Sequence, residues 1–351
     1  MVEFGGWMMP VFYSSILDEH QAVRTAAGLF DISHMGEFWA EGPEAAVWLD
    51  TLLTNEVSKL GIGEGQYTFL LNEQGGVIDD LIVYRVGAQN FLLIVNAGKI
   101  AEDRAWIEGR VPATGVEFRD ESDLFGGLAL QGPKAAEILP GALDLTVPLP
   151  ARNRMVTVVW RGHLLGIART GYTGEDGFEI FFPNAAADAL WEMLLAAGKS
   201  AGLKPAGLGS RDTLRLEACY PLNGQDLSPE RTPIEAGLGF FVSLTKGADF
   251  PGKAALAAQK EAGPAVRLVA LKPVEKSAPP RSHYPLLVDG RSVGEVTSGT
   301  LSPTLGHGIA MAYVETAFSK PGQRLDMEVR GRIVPVEVVL KPFYKKPSVS
   351  V

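Results

Sequence analysis

Between residues 14 and 100 the hydrophobic positions keep two rhythms. Ser14 and Ser15 stand before residues 16–27, where Leu17, Ala22, Val23 and Ala26 recur at helical spacing and predict a serine-capped helix stopped by Gly28. A short strand over residues 29–33 follows. Gly42-Pro43 then opens a second helix through Ala45, Trp48, Leu49, Leu52 and Leu53, since a first-turn proline gives up no needed N–H. After it the period falls to two. Residues 67–71, 77–85 and 91–96 read as strands joined by turn-rich connections, so an antiparallel meander is predicted.

The middle strand of that meander carries an anomaly. In Gly75-Gly-Val-Ile-Asp-Asp-Leu-Ile-Val-Tyr84, alternation puts Ile78, Asp80, Ile82 and Tyr84 on one face and Val77, Asp79, Leu81 and Val83 on the other. Both faces are apolar enough to be buried. Each carboxylate must then be paired, hydrogen-bonded, shifted in pKa or reserved for a ligand. Residue types alone leave two readings open: a structural carboxylate accepting the Gly75 or Gly76 amides, or one that orients, or takes a proton from, an amine-like substrate.

Phe38-Trp-Ala-Glu-Gly-Pro-Glu-Ala-Ala is echoed by Gly127-Leu-Ala-Leu-Gln-Gly-Pro-Lys-Ala-Ala, each a strand led through Gly-Pro into a helix, which suggests two related α+β units. Strands near residues 155–160, 163–169 and 178–182 and a helix over 185–197 extend the second. From about Val266 short β-branched runs alternate with turns such as Val-Asp-Gly-Arg and Lys-Pro-Gly-Gln, as in a small all-β barrel or sandwich. Residues 272–285 read as a long loop on that domain. The boundary is expected within 257–263, dividing the chain into residues 1–260 and 261–351.

Composition narrows the function. With 46% hydrophobic and 21% charged among 351 residues, the chain is globular and has room for two or three cores. A net charge of -9 does not suit unspecific phosphate neutralisation, so nucleic acid is not an expected partner. The single cysteine, Cys219, excludes an internal disulfide, and five scattered histidines give no metal-ligand spacing. No metal is expected, and a reducing cytoplasm is. Neither a leader nor a membrane-spanning apolar run is visible, which makes a soluble protein the expectation.

Two further segments concentrate polar groups. Arg169-Thr-Gly-Tyr-Thr-Gly-Glu-Asp-Gly-Phe-Glu179 joins two strands through glycines that allow close approach of backbone to ligand, without the spacing of a phosphate loop. Glu179 reads equally as a structural acid or a ligand contact. In Pro205-Ala-Gly-Leu-Gly-Ser-Arg-Asp-Thr-Leu-Arg-Leu-Glu-Ala-Cys-Tyr220, Ser210 is placed to cap a helix with Arg211 in its first turn, where a cation opposes the helix dipole. Arg211 is expected either to meet an anion, whether Glu179 or an anionic substrate, or to be solvated. Cys219 on the same helix is read as packing, and His34 as a satisfied core histidine. No nucleophile elbow, Walker loop or dinucleotide fingerprint is present.

Asp31-Ile-Ser-His-Met-Gly-Glu-Phe38, Asn72-Glu-Gln-Gly-Gly-Val-Ile-Asp-Asp-Leu81, the two segments above, Asn223-Gly-Gln-Asp226 and Gly294-Glu-Val-Thr-Ser-Gly-Thr-Leu-Ser-Pro-Thr-Leu-Gly306 together resemble, in order and spacing, the aminomethyltransferases, the T-proteins of the glycine cleavage system. The resemblance implies an α+β, three-lobed cloverleaf: two α+β lobes with antiparallel sheets, which bind folate, and a C-terminal jelly-roll-like β domain. It implies an enzyme that transfers the one-carbon unit of an aminomethyl group from the dihydrolipoyl arm of H-protein to tetrahydrofolate, releasing ammonia and 5,10-methylenetetrahydrofolate. By position, Asp80 is similar to the family's essential carboxylate beside the reacting folate nitrogens, Glu179 to its pterin-binding acid and Arg211 to the arginine beside it. Tyr67, Asn96 and Tyr172 match further folate contacts, and Met35 a residue of the cavity wall. On this resemblance Asp79 returns to a structural role.

Two relatives of the same fold are alternatives. A folate-dependent demethylase of a small sulfonium or methylamine compound is expected to lack the acid at Asp80. The non-enzymatic folate binders that assist iron–sulfur assembly carry Lys-Gly-Cys-Tyr-x-Gly-Gln-Glu, where this chain has Ala218-Cys-Tyr-Pro-Leu-Asn-Gly-Gln-Asp226. One departure from the family is expected to matter: Met1 nearly abuts the Val-x-Phe-Gly-Gly-Trp segment, before which the family usually carries an opening helix.

Overall fold

The computed structural model describes residues 1–346. A hairpin of β1 (Val2–Phe4) and β2 (Trp7–Met9) leads to α1 (Ile16–Thr25), capped by the Ser15 hydroxyl, which accepts the Asp18 N–H at 3.1 Å. The helix stops at Ala26, short of Gly28, which already lies in β3 (Ala27–Asp31). Leu17, expected inward, is exposed, and the buried face carries Glu19, His20, Val23 and Arg24. Polar partners on a neighbouring helix set that face, so apolar spacing alone misassigns it.

Next come β4 (Gly36–Glu41), α2 (Ala45–Leu52), β5 (Gly65–Leu71), β6 (Val77–Arg85), β7 (Asn90–Val95), α3 (Ile100–Glu108) and β8 (Glu117–Asp120). Their strands form an antiparallel five-stranded sheet, order β5-β6-β7-β4-β8, in which the predicted meander is β5 to β7. Helices α2 and α3 cover its outer face, with Leu49 and Ile107 in one core with the strand residues Phe38, Leu81 and Val83. The turn into β6 is tight because Gly75 has φ +84° and because a side chain at Gly76 would overlap the Pro229 carbonyl.

The second unit follows with β9 (Phe125–Gln131), α4 (Ala135–Leu143), β10 (Met155–Trp160), β11 (His163–Ala168), β12 (Gly177–Pro183), α5 (Ala187–Gly198) and β13 (Leu203–Pro205). Its six-stranded sheet has the order β10-β11-β12-β9-β3-β13, with only β13 running parallel to its neighbour β3. Because β3 precedes the first sheet yet belongs to the second, the two units are interleaved. The echoed segments occupy equivalent places: β4 leads to α2 as β9 leads to α4.

The inner faces of the two sheets meet across Phe30, Ile32, Ala129 and Phe181 on one side and Tyr84, Leu92 and Ile94 on the other. Burying a large apolar side chain such as Phe30, Ile32 or Phe181 contributes about 1.5–3 kcal/mol. Leu214 of α6 (Leu208–Glu217) closes this seam. After α7 (Lys253–Ala262), strands β14 (Val266–Pro273), β15 (Pro285–Val288), β16 (Arg291–Leu301), β17 (Gly308–Glu315), β18 (Arg324–Val329) and β19 (Arg332–Val339) close into a barrel, order β14-β17-β16-β15-β18-β19, around Leu286, Val296, Ala312, Met327 and Val336. Glu217 of α6 anchors it by accepting the Thr304 N–H at 3.0 Å and the Thr304 hydroxyl at 2.8 Å. Among the described residues, no helix is long and apolar enough to cross a membrane.

Candidate active site

Strand β6 places Asp80 on the face turned toward the second sheet, and three side chains converge on its carboxylate. The Tyr67 hydroxyl donates to Oδ2 at 2.7 Å, and the side-chain amides of Asn96 and Asn223 donate to Oδ1 at 3.1 and 3.3 Å. Burial, and then the neighbouring charge of Asp79, push the Asp80 carboxyl up to about 7, while the Tyr67 and Asn223 bonds pull it down. The group is therefore poised to gain or lose a proton near neutrality.

Asp79 points to the opposite face and is fully buried. It does not accept from Gly75 or Gly76, as one sequence reading has it. Gly76 N–H goes instead to the Asn72 side-chain oxygen at 2.9 Å, and Asp79 accepts the Asn96 backbone N–H at 3.0 Å and the Asn96 amide at 2.8 Å.

Glu179 of β12 and Arg211 of α6 stand on the other side of the seam. The Thr170 hydroxyl donates to Glu179 Oε2 at 2.6 Å, and Thr170 is itself within 2.9 Å of the Tyr84 hydroxyl, on the same β6 face as Asp80. Glu179 and Arg211 influence each other electrostatically without an ion pair. Burial raises the first carboxyl and lowers the guanidinium. The Arg211 guanidinium lies 5.0 Å from the centre of the Tyr172 ring, which stacks at 5.8 Å on Tyr220 and donates its hydroxyl to the Pro221 carbonyl. Met35 packs at the margin of the inter-sheet core. Tyr67, Asp80, Asn96, Tyr172, Glu179, Arg211 and Met35 are all partly open to solvent, in contrast to Asp79 and Tyr84, which are sealed. Two cavities of about 200 and 440 Å³ lie elsewhere, against the barrel and beside Met155, and touch none of these residues.

Several local readings need correction. The N-cap of α6 is Gly207, whose N–H goes to Glu19 at 2.9 Å; Ser210 sits inside the first turn, and its hydroxyl donates to the Gly207 carbonyl. Gly171 makes room for Gln131 rather than for a ligand: a side chain there would overlap the Gln131 amide, which holds the loop by donating to the Thr170 carbonyl at 3.0 Å. Cys219 lies beyond the helix end, with φ +56°, and burial pushes its thiol up to about 11. His34 is buried but not satisfied. Its Nδ1 has no partner, its ring meets Phe4 edge-on at 5.6 Å, and burial pushes it down to about 3, so it is neutral. Sequence reasoning missed the supporting groups Tyr84, Thr170 and Asn223; Asn223 stands in the Asn-Gly-Gln-Asp segment quoted above, but its role depends on a contact from another part of the chain.

Residues 1–246 match the family described as the GCVT N-terminal domain, and residues 267–345 the glycine cleavage T-protein C-terminal barrel domain. The aminomethyltransferase of Moorella thermoacetica is 48% identical over 352 residues, covering 99% of this chain and 94% of its own. That of Symbiobacterium thermophilum is 48% identical over 356 residues, again covering 99% and 94%. The crystal structure of glycine cleavage system aminomethyltransferase T from Bartonella henselae matches with a TM-score of 0.91 at 38% identity, covering 98% of this chain and 94% of that one. Fold and matches define an enzyme of group transfer. The chain belongs to the aminomethyltransferase family, the T-proteins of the glycine cleavage system.

Proposed function

We propose that the aminomethyl group arrives on the dihydrolipoyl arm of a lipoylated H-protein and that its one-carbon unit passes to tetrahydrofolate in the cytoplasm, with release of ammonia. Residues 1–260 bind the folate in this reading, and residues 261–351 form the C-terminal domain. The observation that supports it best is the Asp80 carboxylate, held by three side-chain donors at a largely buried point, only partly open to solvent, between two sheets.

Tetrahydrofolate supplies the nucleophilic nitrogen. Asp80 orients that nitrogen, stabilises positive charge as it develops and takes up a proton. Tyr67 and Asn96 hold the carboxylate in place. A pterin presents an edge of amide and amino donors, and Glu179, with one oxygen bound to Thr170, keeps acceptor capacity for it. Arg211 and Tyr172 form a stacked cation and ring beside that edge, and Met35 supplies apolar wall. Mixing the protein with aminomethylated H-protein and measuring ammonia tests the proposal. Release stimulated by tetrahydrofolate is expected; release indifferent to folate contradicts it.

A further inference from the structure

On the far side of β6 from the substrate face, Asp79 meets Asp103 of α3, and both are fully buried. Neither oxygen of Asp103 meets an N–H or hydroxyl of the protein, and the group that faces it is the Asp79 carboxyl. Two carboxylates cannot face each other in an apolar core unless a proton lies between them. Asp103 is the one that keeps it: burial first, then the Asp79 charge, push its carboxyl up to about 11. Asp79, which also accepts two N–H groups of Asn96, is the partner better equipped to hold negative charge.

The chain of contacts does not end there. The Asn96 amide nitrogen that donates to Asp79 Oδ1 at 2.8 Å also donates to Asp80 Oδ1 at 3.1 Å and to the Asp80 carbonyl at 2.9 Å. One amide is clamped between the two carboxylates.

We propose that Asp103 is a positioning residue for the transfer reaction: by donating a hydrogen bond it fixes the Asp79 carboxylate, which orients the Asn96 amide, which holds Asp80 toward the substrate. This rests on the reading of Asp80 as the reacting carboxylate. The ionisable groups facing Asp103 are Asp79 from β6 and Glu102 and Lys99 from its own segment; those facing Asp80 are Asp79, Tyr67 and Tyr172, with Asn223 as a neutral donor. Without a donor at position 103, Asp79 must itself take up a proton. The like charge that raises the proton affinity of Asp80 is then lost, and the amide clamp loosens.

The test is the pH profile of transfer for Asp103→Leu, Asp103→Asn and Asp79→Asn, with folding checked by circular dichroism. Asp103→Leu should lower kcat on the order of tenfold or more, with little change in KM for folate, and move the acid limb of the profile to lower pH. Asp103→Asn, whose amide still donates to Asp79, should restore both kcat and the limb. Asp79→Asn, which removes the charge in place, should move the limb in the same direction as Asp103→Leu. A folded Asp103→Leu with wild-type kcat and profile overturns the proposal, as does an Asp103→Asn that resembles Asp103→Leu. If Asp103→Leu does not fold, the other two variants decide it: an unmoved limb in Asp79→Asn overturns it. An Asp80→Asn control separates the claims, because full turnover in that variant defeats the reading of Asp80 itself, whereas its loss leaves a negative result to count against Asp103 alone.

Discussion

The Tyr67 hydroxyl reaches Asp80 diagonally across the β5–β6 pair, at 2.7 Å, although the residue opposite Tyr67 is Ile82. That bond favours the ionised form of Asp80 and opposes the upward push of burial and of Asp79. A hydrogen bond to a charged acceptor is worth about 1.5–3 kcal/mol. Tyr67→Phe deletes it and keeps the ring, so the Asp80 carboxyl should move above its value of about 7. Activity that needs the carboxylate then begins only at higher pH. The acid limb of kcat/KM against pH is expected to rise by about one to two pH units, to be checked by steady-state assay at saturating H-protein; an unmoved limb counts against the ionised Asp80.

Glu179 offers its remaining acceptor capacity to a ligand, with Thr170 holding one oxygen in place. Glu179→Gln keeps the shape and replaces a charged acceptor by a neutral amide. A loss of about 2 kcal/mol, or roughly thirtyfold in the dissociation constant for tetrahydrofolate, is expected by fluorescence titration. Unchanged binding removes Glu179 from the folate contacts.

Glu37 of β4 is buried, on the sheet face it shares with Ile94, and neither carboxyl oxygen has a partner. Burial, with Asp120 adding to it, pushes the carboxyl up to about 9. Below the unfolded-chain value of 4.5 the group is neutral in both states. Between there and about 9 only the unfolded chain ionises, so stability falls as pH rises through that window. Glu37→Met removes both the pH dependence and the unpaired polar group. Urea unfolding should find the variant more stable by about 1–3 kcal/mol at pH 8 and by less at pH 5; equal midpoints at pH 8 contradict this.

Which features could be read from the chain follows from how local each signal is. The meander and its Asp pair were readable because period-two alternation and turn residues are local properties, and β6 runs over the predicted Val77–Arg85. The buried face of α1 was not, because Arg24 and His20 face inward only through Glu217 and Thr213, which lie 193 positions further along the chain. Asp80 stood out as a charge in an apolar strand, whereas Asp103 lies in α3, a helix the sequence reading did not assign, and nothing local announced its approach to Asp79. Resemblance supplied Glu179 and Arg211, whose residue types alone were evenly balanced between structure and function. The barrel was visible as turn spacing, but its attachment through Ser302 and Thr304 to Glu217 was a tertiary fact.

That attachment yields a stability prediction. Burial works to raise the Glu217 carboxyl, but bonds from His20, Ser302 and Arg24 outweigh it and hold it down at about 2. Stability from this group is present above 4.5 and is lost as pH falls toward 2. Glu217→Ala leaves Arg24 with Glu175 as its remaining carboxylate partner and frees the Ser302–Thr304 turn. A loss of about 3–5 kcal/mol is expected in urea unfolding at pH 7, and a loss below about 1 kcal/mol contradicts an anchoring role.

The role of Asp80 is exposed most plainly by single-turnover ammonia release in Asp80→Asn, with aminomethylated H-protein and saturating tetrahydrofolate. Asparagine keeps the side-chain shape and removes the charge. An intact fold with the rate reduced by about a hundredfold or more is expected. A folded Asp80→Asn that turns over at the wild-type rate contradicts a reacting carboxylate at this position.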